Sequence, residues 1–412
     1  MPGSIPVVTV SRRGATRLRA GHLWVYRSDL PSAATPAGVL VHVADDRGRR
    51  LGSALSSSSS QIALRLLSPE AITEDELPQL VRRRVAAAVE FRRRSVRDSD
   101  SYRVIFSESD LLPGLIVDKY NDVLTVQALT QAFDSTDLRQ AVLDSLAEYF
   151  PGASIVERVD AHIRELEQLP PRESQVLRLA HPSPSSGLGW GDVDRTTTIF
   201  TLNGVHFHFD ALAGQKTGAF LDQRENYAAA AAYAHGRALD CFTYQGGFAL
   251  HLARVCDEVT GVDSSRPALE VAEQNEQLNR PQYRCGEMQW IEGNAFDLLR
   301  DYAVAGSQYD TIVLDPPAFA KSKRAVATAL GGYKELNLRA LKMLRPGGIL
   351  VTCSCSFHVS EAEFLEMLGS AAADAGRRLR ILEKHGAAID HPVLLNLPET
   401  AYLKCIIGQV LE

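Results

Sequence analysis

The sequence predicts an α/β protein: a mostly parallel sheet with helices on both faces, preceded by a small β-rich module and a central α+β segment. Three observations carry this. From about residue 236, short apolar runs alternate with helical stretches, the pattern of parallel strands joined by crossover helices. Successive apolar runs end in an acid, at Asp240, Asp263 and Asp315, where an open α/β sheet gathers its ligands. Charge is also divided along the chain. Residues 1–97 hold 16 Arg, no Lys and 8 acids, while the whole chain has 44 basic and 50 acidic residues and a net charge of −6. A basic front joined to an acidic remainder points to a polyanionic partner, although arginine without lysine also follows from genome composition.

At 412 residues the chain is too long for one ordinary domain and suits two or three. With 45% hydrophobic and 23% charged residues it reads as globular. All six cysteines follow residue 240 and none is spaced C-x-x-C, so no metal site is expected. The N-terminus lacks a signal-peptide core and no apolar stretch approaches about 18 residues. A cytoplasmic protein with reduced thiols and no membrane contact is the expectation.

In chain order, residues 5–10, 38–44 and 61–67 read as short strands around the arginine-rich run Arg12 to Arg19, making a mostly β module that ends near 72. From Thr73 to about Arg97 the apolar spacing is helical, with Thr73 as cap and Glu76 at the capping-box position. A hairpin over 115–128, a helix over 135–149 and a strand over 153–158 follow. Residues 168–192, rich in Pro, Ser and Gly, read as a loop or linker. A hairpin turning at Asn203-Gly204 leads into the last domain. The strand 238–242 is followed by Gly246-Gly247 at a helix start, where backbone can approach a ligand closely. Asp263 ends the next strand 23 residues after Asp240, placed to accept hydrogen bonds from ribose hydroxyls of a nucleoside cofactor. Ser264-Ser265 caps a helix to about Asn279. Asn294 and Phe296 follow a third strand, in position to hold an adenine. The fourth strand delivers Asp315-Pro316-Pro317-Ala318-Phe319, a rigid, donor-poor segment suited to gripping a planar base. After a turn at 344–348, a fifth strand ends in Cys353-Ser354-Cys355-Ser356.

These residues resemble class I S-adenosylmethionine-dependent methyltransferases, and specifically the large-subunit ribosomal RNA cytosine-C5 methyltransferase family with an N-terminal PUA domain. The similarity rests on Lys216 to Arg224, Asp240 to Phe248, Val262 to Ser265, Asp315 to Phe319 and Thr352 to Ser356. Outside them, Gly21 to Tyr26 and Glu108 to Leu115 are similar to the family's PUA and central-domain signatures. The resemblance implies a PUA RNA-binding domain at 1–72, a central α+β domain plus linker at 73–192, and a class I (Rossmann-like) methyltransferase domain with a seven-stranded, mostly parallel sheet at 193–412. It further implies S-adenosylmethionine as methyl donor, S-adenosylhomocysteine as product, large-subunit ribosomal RNA as substrate and, in several members, a homodimer.

Carried onto this chain, the resemblance implies Cys355 as nucleophile toward C6 of cytosine and Asp315 as the partner of the ring at N3/N4. It implies cofactor contacts from Phe220, Asp222, Arg224, Asp240, Phe242, Tyr244, Gly246, Gly247, Asp263, Ser264, Asn294, Ala295 and Asp315. RNA would be met by Arg12, Arg13, Arg17, Arg19, Pro316, Pro317, Phe319, Lys321 and Lys323. The chemistry agrees, because C5 of cytosine is a poor nucleophile that a soft thiolate at C6 activates. Three positions depart from the pattern. Asn294 stands where the family usually has Asp; Cys353 replaces an apolar residue and reads as a buried structural thiol. Ala318 occupies the place of a second cysteine, which leaves the base that removes the C5 proton unassigned. Asp-Pro-Pro-x-Phe followed by Lys321 and Lys323 also resembles ribosomal RNA guanine-N methyltransferases, which need no covalent nucleophile. A non-catalytic RNA-binding assembly factor is a further reading of the same residues, and a small-molecule methyltransferase fits the arginine-rich front poorly.

Overall fold

The computed structural model describes residues 4–31, 35–134, 136–180, 196–212, 219–320 and 322–411. Lys216, Thr217, Gly218, Lys321 and the part of the expected linker at 181–192 lie outside these residues. The chain divides into two compact units, Met1–Phe200 with Phe209–Ala219 and Asp390–Thr400, and Thr201–His208 with Phe220–Ile389 and Ala401–Glu412.

The first unit contains two five-stranded sheets. In one, Val7–Thr9, Leu40–Ala44, Arg50–Ser56, Ile62–Ser68 and Trp24–Tyr26 lie side by side in that order, around a core that includes Val25, Val41, Val43, Ala54 and Leu64. The module is mostly β, as expected, with one helix inside it that the sequence pattern does not assign. Arg12–Arg19 is a helix, capped by the Ser11 hydroxyl accepting from the Gly14 amide, with Gly14, Ala15 and Leu18 on its buried face. The apolar spacing of Ala15 and Leu18 is helical, but two turns are too short to stand out against flanking strands. Trp24–Tyr26 and Arg50–Ser56 are strands in addition to those expected.

The second sheet runs Gln175–Arg178, Ser154–Glu157, Val123–Ala128, Leu115–Tyr120, Tyr102–Phe106. The helix Leu77–Ser95 buries Leu77, Val81, Val85, Ala88 and Val89 in the same core as this sheet's Val104, Ile105, Val117 and Leu124. Each large aliphatic side chain so buried contributes roughly 1.5–3 kcal/mol. The helix starts four residues after the expected cap. Glu76 does accept the Thr73 amide and hydroxyl, but residues 74–76 form a turn and Pro78 occupies the first helical turn, where its missing N–H costs nothing. The expected linker is likewise structured at its start. Gln175–Arg178 pairs antiparallel with Ser154–Glu157 across a bulge, satisfying backbone groups that a Pro- and Ser-rich composition predicts to be solvated.

The hairpin Thr197–Leu202/Val205–Asp210 turns at Asn203 (φ 51°) and Gly204 (φ 79°), the left-handed pair that an Asn-Gly turn supplies with least strain.

The second unit is built on strands β1 (Arg237–Cys241), β2 (Glu258–Asp263), β3 (Glu287–Glu292), β4 (Tyr309–Leu314), β5 (Leu344–Ser354), β6 (Arg378–His385) and β7 (Lys404–Leu411). Their order is β3-β2-β1-β4-β5-β7-β6, a mixed sheet in which β7 runs antiparallel to both neighbours. Leu239, Val262, Ile312, Leu314 and Leu350 form its core with Tyr333, Leu336 and Leu341 of the helix Val326–Met343. The expected turn at 344–348 is absorbed into β5 as an irregularity. Tyr309 pairs with Leu344 but Thr311 with Ile349, and the extra residues bulge out at Gly347, whose φ is 82°. No helix among the described residues is long and apolar enough to cross a membrane.

Candidate active site

The carboxyl ends of β1, β2, β4 and β5 carry the acids and the thiol singled out in the sequence. Asp240, near the end of β1, is fully buried. Its Oδ2 accepts the Thr243 hydroxyl at 2.6 Å and the Ala249 amide at 2.9 Å, whereas its buried Oδ1 has no hydrogen-bond partner among the described residues. Burial pushes the Asp240 carboxyl up to about 7, against the pull of those two hydrogen bonds. The loop that follows is strained. Phe242 (φ 67°) and Tyr244 (φ 52°) are both left-handed, which costs about 1–2 kcal/mol each. Such strain concentrates at functional sites. Gly246, at φ 87°, takes the left-handed backbone without that cost, and an added Cβ there would lie 2.9 Å from the Trp290 ring; at Gly247 one would lie 2.5 Å from the Tyr227 hydroxyl.

Asp263, ending β2, is fixed from both sides. Oδ2 accepts the Tyr244 amide and Oδ1 the Ser265 amide, each at 2.9 Å. Ser265, not Ser264, caps the helix Arg266–Asn279; Ser264 is exposed beside it. Asn294 is the N-cap of the helix Ala295–Val304, its Oδ1 accepting the Phe296 amide at 2.9 Å, and Ala295 is buried. Phe296 packs on Phe319 with ring centroids 5.9 Å apart, and Phe319 on Tyr333 at 4.7 Å. Phe220 is edge-on to Tyr244 at 5.2 Å. Arg224 is buried at the start of the helix Arg224–Tyr233, its guanidinium 3.3 Å from Glu225.

Asp315 sits one residue past β4. Burial, then the charges of Asp222 and Asp240, push its carboxyl up to about 8, with a Gln223 hydrogen bond opposing. Asp222 is held by the Tyr402 hydroxyl, which donates to its Oδ2 at 2.6 Å. Three carboxyls thus converge, none of them ion-paired among the described residues, an environment that favours a bound cation. Beyond Asp315, exposed Pro317 and half-buried Phe319 continue the segment, and Lys323 is exposed on the short helix Lys323–Ala325.

Cys355, just past β5, is part-buried, with Sγ 3.9 Å from the Pro316 carbonyl oxygen. The two strand-end segments are bolted together around it. The Ser356 hydroxyl accepts the Ala320 amide at 3.1 Å and lies 2.9 Å from the Tyr333 hydroxyl, to which Ser354 donates at 3.0 Å. Cys353 is fully buried opposite Cys405 of β7, its thiol raised far above the ordinary range by burial, which is inert packing chemistry. The residues that sequence reasoning missed here are Thr243, Gln223, Tyr227, Tyr333, Tyr402 and Lys404. Only Thr243, three residues after Asp240, and Gln223, between Asp222 and Arg224, stood inside motifs.

In the first unit, the arginines assigned to RNA are largely engaged within the protein. Arg13 and Arg17 both pair with buried Asp29, and Arg19 with buried Asp45, while Arg12 is exposed.

Residues 8–69 match the PUA-like domain family and residues 157–394 the S-adenosylmethionine-dependent methyltransferase family. Curated relatives named Ribosomal RNA large subunit methyltransferase I are 36% identical in Tolumonas auensis, covering 94% of each chain, and 34% identical in Pseudoalteromonas translucida, covering 95% of this chain and 96% of that one. The chain belongs to the ribosomal RNA large subunit methyltransferase I family of S-adenosylmethionine-dependent methyltransferases. A candidate methyltransferase from Streptococcus mutans shares its fold, with a TM-score of 0.80 at 17% identity over 98% of this chain and 100% of that one. A second solved chain, a candidate methyltransferase complexed with S-adenosylhomocysteine, superimposes with a TM-score of 0.81, also at 17% identity and covering 98% of this chain and 100% of that one.

The cofactor of this methyltransferase is S-adenosylmethionine, and the residues at the strand ends fit it. Asp240 Oδ1 is a buried acceptor without a donor among the described residues. Asp263 is anchored by two amides yet keeps lone pairs for hydroxyls. The Asp222, Asp240 and Asp315 carboxyls repel one another until a positive charge arrives.

Proposed function

We propose that the protein transfers a methyl group from S-adenosylmethionine to C5 of a cytosine in large-subunit ribosomal RNA, through a covalent bond between Cys355 Sγ and C6. The observation that carries this reading is the thiol of Cys355 standing at a strand end against the Pro316 carbonyl, beside an Asp315 that is protonated near neutrality. A non-covalent transferase has no use for a nucleophile there.

When bound, S-adenosylmethionine supplies an electrophilic methyl group on a positively charged sulfur. Cys355 gives up its proton to water and its sulfur forms the bond to C6. The C5=C6 electron pair shifts toward N3, which takes the proton of Asp315; a carboxyl group whose pKa is about 8 holds that proton at pH 7. Stabilising charge as it develops on the ring is the larger part of such catalysis. C5, made nucleophilic in this way, would accept the methyl group supplied by the S-adenosylmethionine that Asp222, Asp240, Asp263 and Asp315 would hold. Loss of the C5 proton to water re-forms C5=C6 and expels the Cys355 thiolate, and the N3 proton returns to Asp315. The Pro316-Pro317 segment, which offers carbonyls and no N–H, suits the N4 amino group, and Phe319 a base face. A cytosine stacked in structured RNA must be taken out of its stack to reach these groups.

Asp222, Asp240 and Asp315 would face the methionine end of the cofactor and Asp263 the ribose, with Phe220, Arg224, Phe242, Tyr244, Gly246, Gly247, Ser264, Asn294 and Ala295 completing the site. RNA affinity would come from the domain at 1–72, followed by a central domain at 73–192 and the catalytic domain at 193–412, in a cytoplasmic homodimer. The test is bisulfite sequencing of large-subunit ribosomal RNA from cells lacking the gene, complemented with wild type or Cys355→Ala. Wild type restores one protected cytosine and the variant does not, although it still binds cofactor. A Cys355→Ala protein that restores methylation sinks the covalent reading.

A further inference from the structure

We propose that Lys404 is a positioning residue for Cys355, its buried ammonium fixing the loop after β5 and stabilising the thiolate form of the neighbouring sulfur. The inference rests on the reading of Cys355 as nucleophile. Lys404 opens β7 directly opposite Ser354 of β5, so the antiparallel ladder brings it beside the strand end that carries Cys355. The side chain is buried, 7% exposed. Its Nζ donates to the Ser356 carbonyl at 2.7 Å and to the Tyr402 carbonyl at 2.9 Å. The first bond grips the residue immediately after Cys355. The second ties in Tyr402, whose hydroxyl holds Asp222. Among the described residues no carboxylate lies within ion-pair distance of Nζ.

A buried ammonium is costly to desolvate, and two neutral carbonyls offset only part of that. The charged groups that face it are few. Cys355 and Glu363 both favour its protonated form, and burial opposes them, holding the pKa down to about 8. Glu363 is largely taken up elsewhere, accepting the Ser360 amide and hydroxyl at the start of the helix Glu361–Asp374. Tyr333 faces Cys355 from the helix Val326–Met343, with its hydroxyl hydrogen-bonded to Ser354 and Ser356. The anion best placed to offset the burial of Lys404 is therefore the Cys355 thiolate. A cation close to a thiol lowers its pKa and raises the fraction of nucleophile at neutral pH.

The test measures the pH dependence of iodoacetamide alkylation at Cys355, read peptide by peptide by mass spectrometry, in wild type, Lys404→Gln and Lys404→Met. Glutamine keeps an N–H for the carbonyls without the charge; methionine keeps the bulk alone. An opposite charge at close range shifts a pKa by about 1–3 units, so both variants should show a midpoint raised by at least about one unit and roughly tenfold slower alkylation at pH 7. Retained S-adenosylhomocysteine binding shows that each variant is folded, and if methionine does not fold, glutamine decides. A wild-type midpoint at or above the ordinary thiol range, or an unchanged midpoint in Lys404→Gln, overturns the proposal even if methyl transfer falls. Alkylation needs no turnover. An active Cys355→Ala enzyme would remove the nucleophile reading while leaving the alkylation shift to be judged separately.

Discussion

Replacing Asp315 with Asn should make the cofactor-free protein more stable at alkaline pH while abolishing methyl transfer. The Asp315 carboxyl is raised to about 8, by burial first and then by the charges of Asp222 and Asp240. An unfolded aspartate titrates near 3.9. The folded state therefore holds a proton that the unfolded state releases over the interval between those values. The associated stability is complete below pH ~4, falls as pH rises, and is gone above about 8. Each unit of difference corresponds to about 1.4 kcal/mol, which sets a ceiling of roughly 5–6 kcal/mol for a shift of this size.

Because Asp222 and Asp240 share the repulsion, removing one of the three carboxylates relieves only part of it. The expected gain at pH 8.5 is about 2 kcal/mol. For a unit of this size each kcal/mol moves the melting temperature by about 2–4 °C, which gives about 4–8 °C. Thermal melts at pH 5 and pH 8.5, followed by circular dichroism, measure it. At pH 5 the folded acid and amide are nearly isosteric and equally neutral, and only about one unit of the titration window has been crossed, so the gap between the two proteins should be much smaller than at pH 8.5. A variant that melts lower at pH 8.5, or is displaced equally at both pH values, refutes the account of three mutually repelling carboxylates. The same substitution should weaken S-adenosylmethionine more than S-adenosylhomocysteine in calorimetric titrations, because only the former carries a charge for the cluster to neutralise.

Asp263→Asn should weaken cofactor binding about 10- to 100-fold by isothermal titration, the loss expected from hydrogen bonds to a charged group worth about 1.5–3 kcal/mol; unchanged affinity would remove Asp263 from the ribose site. Arg17→Ala should lower the stability of the first unit by about 1–3 kcal/mol in urea titration, since it strips one partner from buried Asp29. Arg12→Ala should leave stability within about 0.5 kcal/mol and reduce the salt dependence of RNA binding by about one phosphate contact; a fluorescence-anisotropy series in which the two variants behave alike would contradict this division.

What the sequence made legible was local. Asp240, Asp263 and Asp315 could be placed because each closes an apolar run beside Gly or Pro, and the register of the parallel strands aligns those ends. Cys355 followed by the same logic. Tyr402 and Lys404 carry no such mark. They reach the site because β7 runs antiparallel between β5 and β6, a long-range pairing that no short motif encodes. The left-handed backbone at Phe242 and Tyr244 was equally hidden, since neither residue type announces a positive φ.

The basic front of the chain changes meaning for a related reason. Net charge counts arginines without asking what they face. Asp45 binds both Arg19 and Arg49, Asp29 binds Arg13 and Arg17, buried Arg65 lies within 4 Å of Glu108 and Glu167, and buried Arg92 pairs with Asp110. Those pairs tie elements of the first unit to one another. Arg12, Arg47 and Arg50, exposed near the first sheet, and Arg83 and Arg97, exposed on or just past the helix Leu77–Ser95, form no ion pair among the described residues. The arginines around 12–19, richest in sequence signal, are thus mostly ion-paired, and the exposed guanidiniums without an ion pair among the described residues lie largely elsewhere in the unit, a distinction that clustering in the sequence does not reveal.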